Sequence, residues 1–177
     1  MAEYALGHTW RLSLQLQPLE SEANGGISVL AGTPVRALIN DALKAQTGTP
    51  SQKQFKSILS PSLRLTSNGW SPKEFPFSSQ TQVLGRPRAI DYFHQTSKTG
   101  IELELSNQTV LSHDLIKLEV AYRERRVALG VILTVSKATR KSLAWKCDNW
   151  YLTFESSKVW VNTLAKALTV PIVVLAF

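Results

Sequence analysis

Trp10 to Leu16 alternates apolar and polar residues with period two, which predicts a half-buried strand with Trp10, Leu12, Leu14 and Leu16 on its inner face. Asn24-Gly25-Gly26 punctuates a loop, and Thr33-Pro34 sets an N-cap before a proline at the first helical position. The helix that follows is expected to reach about Gln46, with Val35, Leu38, Ile39 and Leu43 as its buried stripe; Thr47-Gly48-Thr49-Pro50 stops it. A short helix over 52–59 ends at Ser60-Pro61. Residues 67–89 hold Pro72, Pro76 and Pro87 with little apolar periodicity, as a loop-rich connection does.

The second half is more regular. Ala89–Phe93 and Gly100–Leu105 read as two strands joined by a polar turn, a β-hairpin or an adjacent pair. Ser112 is a candidate cap for a helix over His113–Arg125, with Leu115, Leu118, Ala121 and Tyr122 inward. Val127–Val135 is rich in branched apolar residues without alternation, the pattern of a strand buried on both faces. A polar basic loop over Ser136–Lys141, a helix over Ser157–Leu168 and an apolar strand over Pro171–Phe177 complete the order. The expectation is one α/β domain over 1–177, a mixed central sheet flanked by helices, with its core at about 89–135.

Charge changes this picture. The chain of 177 residues carries 20 Lys and Arg against 13 Asp and Glu, a net +7. Between Asn107 and Lys146 eight bases face only three acids, Asp114, Glu119 and Glu124. A basic half suggests a polyanion, nucleic acid before a membrane surface, weighed against a protein kept soluble by its charge. Cys147 is the only cysteine, so an intrachain disulfide and a cysteine metal cluster are excluded, and a reducing cytoplasm fits. Met1–Gln15 shows no signal-peptide pattern, and Val127–Val135 and Val170–Phe177 fall far short of the ~20 residues of a membrane helix.

Candidate chemistry sits in Gly100-Ile-Glu102-Leu-Glu104-Leu105. Residues i and i+2 of a strand share a face, so Glu102 and Glu104 point the same way, opposite Ile101, Leu103 and Leu105. A hairpin brings Asp91 beside Glu102. Three converging carboxylates repel one another unless a cation lies among them, and such hard oxygen donors suit Mg²⁺ or Mn²⁺. Taken alone, Glu-x-Glu on an amphipathic strand is more often a solvated face; an acidic pocket in a basic chain is what metal-assisted phosphodiester hydrolysis requires.

The run Ile90-Asp91-Tyr-Phe, Gly100-Ile-Glu-Leu-Glu-Leu-Ser-Asn107, His113-Asp-Leu-Ile-Lys-Leu-Glu-Val-Ala-Tyr122 and Val127-Ala-Leu-Gly-Val-Ile-Leu133 resembles the BamHI/BglII group of type II restriction endonucleases, within the PD-(D/E)xK nuclease superfamily. The resemblance covers about a quarter of the chain. It implies a restriction-endonuclease-like fold and Mg²⁺-dependent cleavage of double-stranded DNA at a short palindrome, with Mn²⁺ able to substitute. It also implies a prokaryotic cytoplasmic enzyme and a homodimer that the helix after the acidic strand helps to form. Asp91 and Glu102 would be metal ligands, with the Leu103 carbonyl a candidate third, and Asp91, Glu102 and Glu104 the catalytic set. Glu104 stands where most of the superfamily has lysine; this is similar to BamHI, where glutamate occupies the place, and it leaves the group that activates water open. Ile90 replaces the usual proline, and Glu74 is a candidate auxiliary acid, more simply a solvated loop residue.

In the resembled group the junction after the acidic strand enters the major groove. Ser106 and Asn107 are therefore candidate base readers, against the alternative of a turn. Lys137, Thr139, Arg140 and Lys141 form a second candidate DNA-binding loop, mostly for phosphates. Arg123, Arg125 and Arg126 at a helix end are explained by the helix dipole. The rival readings are a repair or junction nuclease of the same superfamily, and a non-catalytic DNA-binding module.

Overall fold

The computed structural model describes residues 19–26, 31–34, 69–71 and 89–176 except 149, with single positions at 37, 51, 52, 57 and 67. The expected strand at Trp10–Leu16, the bodies of the two early helices and Glu74 lie outside the described residues.

In chain order the elements are β1 (Leu19–Ala23), β2 (Tyr92–His94), β3 (Thr99–Leu103), α1 (Gln108–Arg123), β4 (Leu129–Thr134), α2 (Lys137–Ser142), α3 (Phe154–Leu164) and β5 (Ile172–Ala176). The strands form one sheet in the order β1-β5-β4-β3-β2. β3, β4 and β5 run parallel, while β1 and β2 pair antiparallel at the two edges. This is the mixed α/β sheet that the residue pattern predicts. Parallel neighbours need a crossover. α1 makes it from β3 to β4, and the α2–α3 segment makes it from β4 to β5.

Every residue of β4 and β5 is buried, as the unalternating runs of branched residues require. Ile132, Ile172 and Val174 join Leu111, Leu115 and Leu118 of α1 and Phe154 and Val161 of α3 in one apolar cluster. Val131, Leu133 and Val173 alternate to the other face and are buried there too. α1 sits close to the sheet because two glycines lie in register beneath it. Gly100 of β3 pairs with Gly130 of β4. A Cβ at Gly100 would stand 3.0 Å from Leu118 Cδ2, and one at Gly130 2.9 Å from Leu118 Cδ1. The pair makes a shallow seat for a fully buried leucine, and so fixes the height of α1 over the acidic strand.

Several boundaries differ from expectation. α1 starts at Gln108, not His113: Asn107 is the N-cap, accepting from the Thr109 amide at 2.9 Å, and the Ser112 hydroxyl donates to the Thr109 carbonyl inside the helix. The Ser136–Lys141 loop is instead the short helix α2, capped by the Ser136 hydroxyl, which accepts from the Thr139 amide. α3 begins at Phe154 rather than Ser157, because Thr153 and Ser156 form a reciprocal capping box. β1 lies just beyond the stretch where the alternation placed a strand.

Candidate active site

The β2–β3 hairpin pairs Tyr92 with Ile101, which brings the preceding Asp91 level with the following Glu102. Asp91 Oδ2 accepts a hydrogen bond from the Leu103 amide at 3.1 Å, so its carboxylate lies against the strand that carries the two glutamates. Glu104 follows directly on β3, its amide bonded to the Leu133 carbonyl at 3.0 Å. Glu102 and Glu104 share by alternation the face of Gly100, which is the face that α1 covers. They are 2% and 8% exposed. A solvated strand face is therefore not what these glutamates form.

α1 adds two residues that the sequence reading did not single out for the site. Lys117 Nζ lies 2.6 Å from Glu102 Oε1 and 3.2 Å from Asp114 Oδ1. It also donates to the Ala89 carbonyl at 3.1 Å, two residues before Asp91. Lys117 and Asp114 are both buried. Their spacing of three places them together on the helix, beside the inward stripe Leu111, Leu115 and Leu118. That position, polar residues flanking an apolar stripe, was the available signal.

Charge in this cluster is unbalanced. Burial first, then the Asp114 charge, pushes the Glu102 carboxyl well above its usual range, with Lys117 opposing. Burial likewise raises Asp114 against the pull of Lys117. Burial would lower the Lys117 ammonium, but the charges of Glu102 and Asp114 outweigh it and hold the lysine protonated. Asp91, Glu102 and Asp114 thus interact around a single cation. Among the described residues no three carboxylate, imidazole or thiol groups form a ready-made ion cage. A hard divalent ion needs only one or two carboxylates and keeps its other waters, so the oxygen donors of Asp91 and Glu102, level on neighbouring strands, suit it by chemistry.

The candidate DNA-contacting residues separate into two kinds. Ser106 is exposed, and its amide and hydroxyl both donate to Glu104 Oε1, at 2.6 and 2.5 Å. Asn107, half-buried, uses Oδ1 to cap α1. Lys137 and Lys141 are exposed on α2, and Thr139 is half-buried beside Ser136. Arg140 corrects the expectation of an exposed basic loop: it is 0% exposed. Its guanidinium donates to the Leu105 carbonyl and to the Lys146 carbonyl, and lies 4.9 Å from the Tyr151 ring centroid and 5.8 Å from that of Trp145. Coiling Ser136–Ser142 into a helix turned Arg140 inward, where it ties the end of β3 to the segment before α3.

The mixed sheet with its flanking helices is an α/β architecture consistent with a restriction-endonuclease-like fold. Residues 22–177 match the family described as restriction endonuclease BglII/BglIII, and the chain belongs to that family. It is a type II site-specific deoxyribonuclease: it binds DNA and cleaves it, and enzymes of this kind generally use divalent metal ions. No curated protein matches the chain. No helix among the described residues is long and apolar enough to cross a membrane.

Proposed function

We propose that the protein is a Mg²⁺-dependent restriction endonuclease of the prokaryotic cytoplasm that cuts both strands of a short palindromic DNA sequence as a homodimer, with residues 1–177 acting as one nuclease domain. The observation that carries this reading is the Asp91 carboxylate bonded to the Leu103 amide, level with Glu102 on the neighbouring strand. Asp91 and Glu102 would hold the ion, with the Leu103 carbonyl beside them. A bound divalent ion supplies a Lewis acid that lowers the pKa of water and offsets charge developing on the phosphate. Glu104 is the carboxylate we assign as acceptor of the water's proton: its Oε1 is held by Ser106, which orients the group and leaves Oε2 for the proton. Ser106 and Asn107 stand at the end of this strand, where bases next to the cut phosphate can be read. Lys137 and Lys141 are assigned to backbone phosphates.

A palindrome is matched by a twofold dimer, each subunit cutting one strand. Ile116 on α1 and Val159 on α3 support this pairing, being 49% and 64% exposed on two helices that touch each other. Digestion of a sequenced phage genome with Mg²⁺, with and without EDTA, tests the reading. Discrete fragments with ends at one palindrome, lost with EDTA, are expected. Smears, or nicks confined to branched DNA, would point to a repair or junction nuclease instead.

A further inference from the structure

Glu104 leaves the acidic strand without the cation that a lysine would bring there, yet a lysine enters the same cluster from another element. Lys117 reaches in from α1 and touches three structural parts at once: Glu102 on β3, Asp114 one helical turn back, and the Ala89 carbonyl just ahead of Asp91. A buried ammonium is expensive to desolvate and persists only where opposite charges and acceptors surround it. Its three contacts meet that condition. They also set the position of Glu102, because the residue is buried beneath α1. The seat of Leu118 on Gly100 and Gly130 holds the neighbouring backbone of α1 against the sheet, which keeps the Lys117 ammonium within reach of both Glu102 and Asp114.

We propose that Lys117 is a positioning residue: it serves as an internal cation that holds the Glu102 carboxylate ready, and it shifts onto Asp114 as Glu102 takes up a divalent ion. The distances order this exchange. Lys117 is nearer Glu102 than Asp114, and Asp114 is the partner that remains when Glu102 turns to another cation. Lys117 and a divalent ion therefore compete for one carboxylate, and Asp114 decides how readily the lysine yields. The assignment rests on the nuclease reading for its role in turnover, but not for the competition itself.

Mn²⁺ binding to the DNA-free protein, followed by the loss of its free-ion EPR signal, separates the two. Lys117→Met removes a positive charge a few ångströms from the ligand and should tighten Mn²⁺ binding by at least about tenfold. Asp114→Asn removes the lysine's fallback partner and one negative charge, and should weaken it by at least about tenfold. In Lys117→Met, turnover with Mg²⁺ should fall at least a hundredfold while DNA affinity in Ca²⁺ stays within threefold. Opposite shifts from neighbouring residues are not what lost structure produces. Unchanged or weaker Mn²⁺ binding in a folded Lys117→Met overturns the proposal. If that variant fails to fold, Asp114→Asn decides, with unchanged affinity overturning it. Shifts of the expected sign in a protein that cuts no DNA with Mg²⁺ would count against the nuclease reading alone.

Discussion

Arg140 shows how far a residue's type and its role diverge. In a run of basic residues it reads as a phosphate contact, yet its guanidinium is buried between two aromatic rings and bonded to two carbonyls. Helical phase sorts the run: Lys137 and Lys141 are exposed, and Arg140 between them turns in. Arg140→Ala should leave the buried Leu105 carbonyl without this bond and lower stability by about 1–3 kcal/mol, read by urea denaturation. Lys137→Ala and Lys141→Ala should leave stability unchanged and each flatten the salt dependence of DNA binding by about one unit of slope. A salt-slope change from Arg140→Ala at unchanged stability would return it to the DNA surface. Asn107 is intermediate. Its capping bond predicts a loss of about 1 kcal/mol on replacement by alanine, and base reading predicts in addition a weaker preference at one base pair.

At the scale of elements, strands were easier to read than helix ends. β4 and β5 announce themselves because burial on both faces demands unbroken apolar runs, and Gly100-Ile-Glu-Leu-Glu fits β3 in register with β2. The start of α1 was misplaced because Asn107 and Ser112 are both good caps; pairing between Asn107 and Tyr151 and the bond from the Gln108 amide to the Trp150 carbonyl fix the earlier one, and these are contacts between distant segments. Lys117 was not legible as a site residue because a lysine on a helix defaults to solvent, and only the sheet beneath α1 shows otherwise. Glu119 adds a second cross-link from this helix. Its carboxylate accepts from the Thr169 and Val170 amides at 2.8 and 2.9 Å, the Thr169 hydroxyl at 2.7 Å and Arg123 at 2.6 Å, tying α1 to the entry of β5. Burial would raise its pKa, but these bonds outweigh it and lower it from 4.5 to about 2. A carboxylate depressed on folding stabilises above its unfolded pKa. This contribution is complete above about pH 4.5 and disappears as the pH falls toward 2. Glu119→Gln should therefore be less stable than the parent at pH 7, with the gap closing in acid. A gap of constant size between pH 7 and 2 would show that the charge does not matter.

For the whole molecule, the basic chain and the acidic site are two parts of one arrangement. In the proposed function, excess positive charge would gather DNA, and the carboxylates at the end of β3 would act where the phosphate arrives. The proposed homodimer would use the exposed Ile116 and Val159, and so bring a second site to the opposite strand. Ile116→Arg with Val159→Glu should shift the protein to a monomer in sedimentation and convert double-strand cuts to slow single-strand nicks. A dimer unchanged by both substitutions would place the interface elsewhere. Whether Asp91 and Glu102 hold the proposed ion is decided by Asp91→Asn and Glu102→Gln. Cleavage of a mapped target in Mg²⁺ would be measured alongside binding to the same target in Ca²⁺. Cleavage should fall at least a thousandfold, about 4 kcal/mol of transition-state stabilisation, while binding stays within a few-fold. Near-normal cleavage by either variant would contradict it.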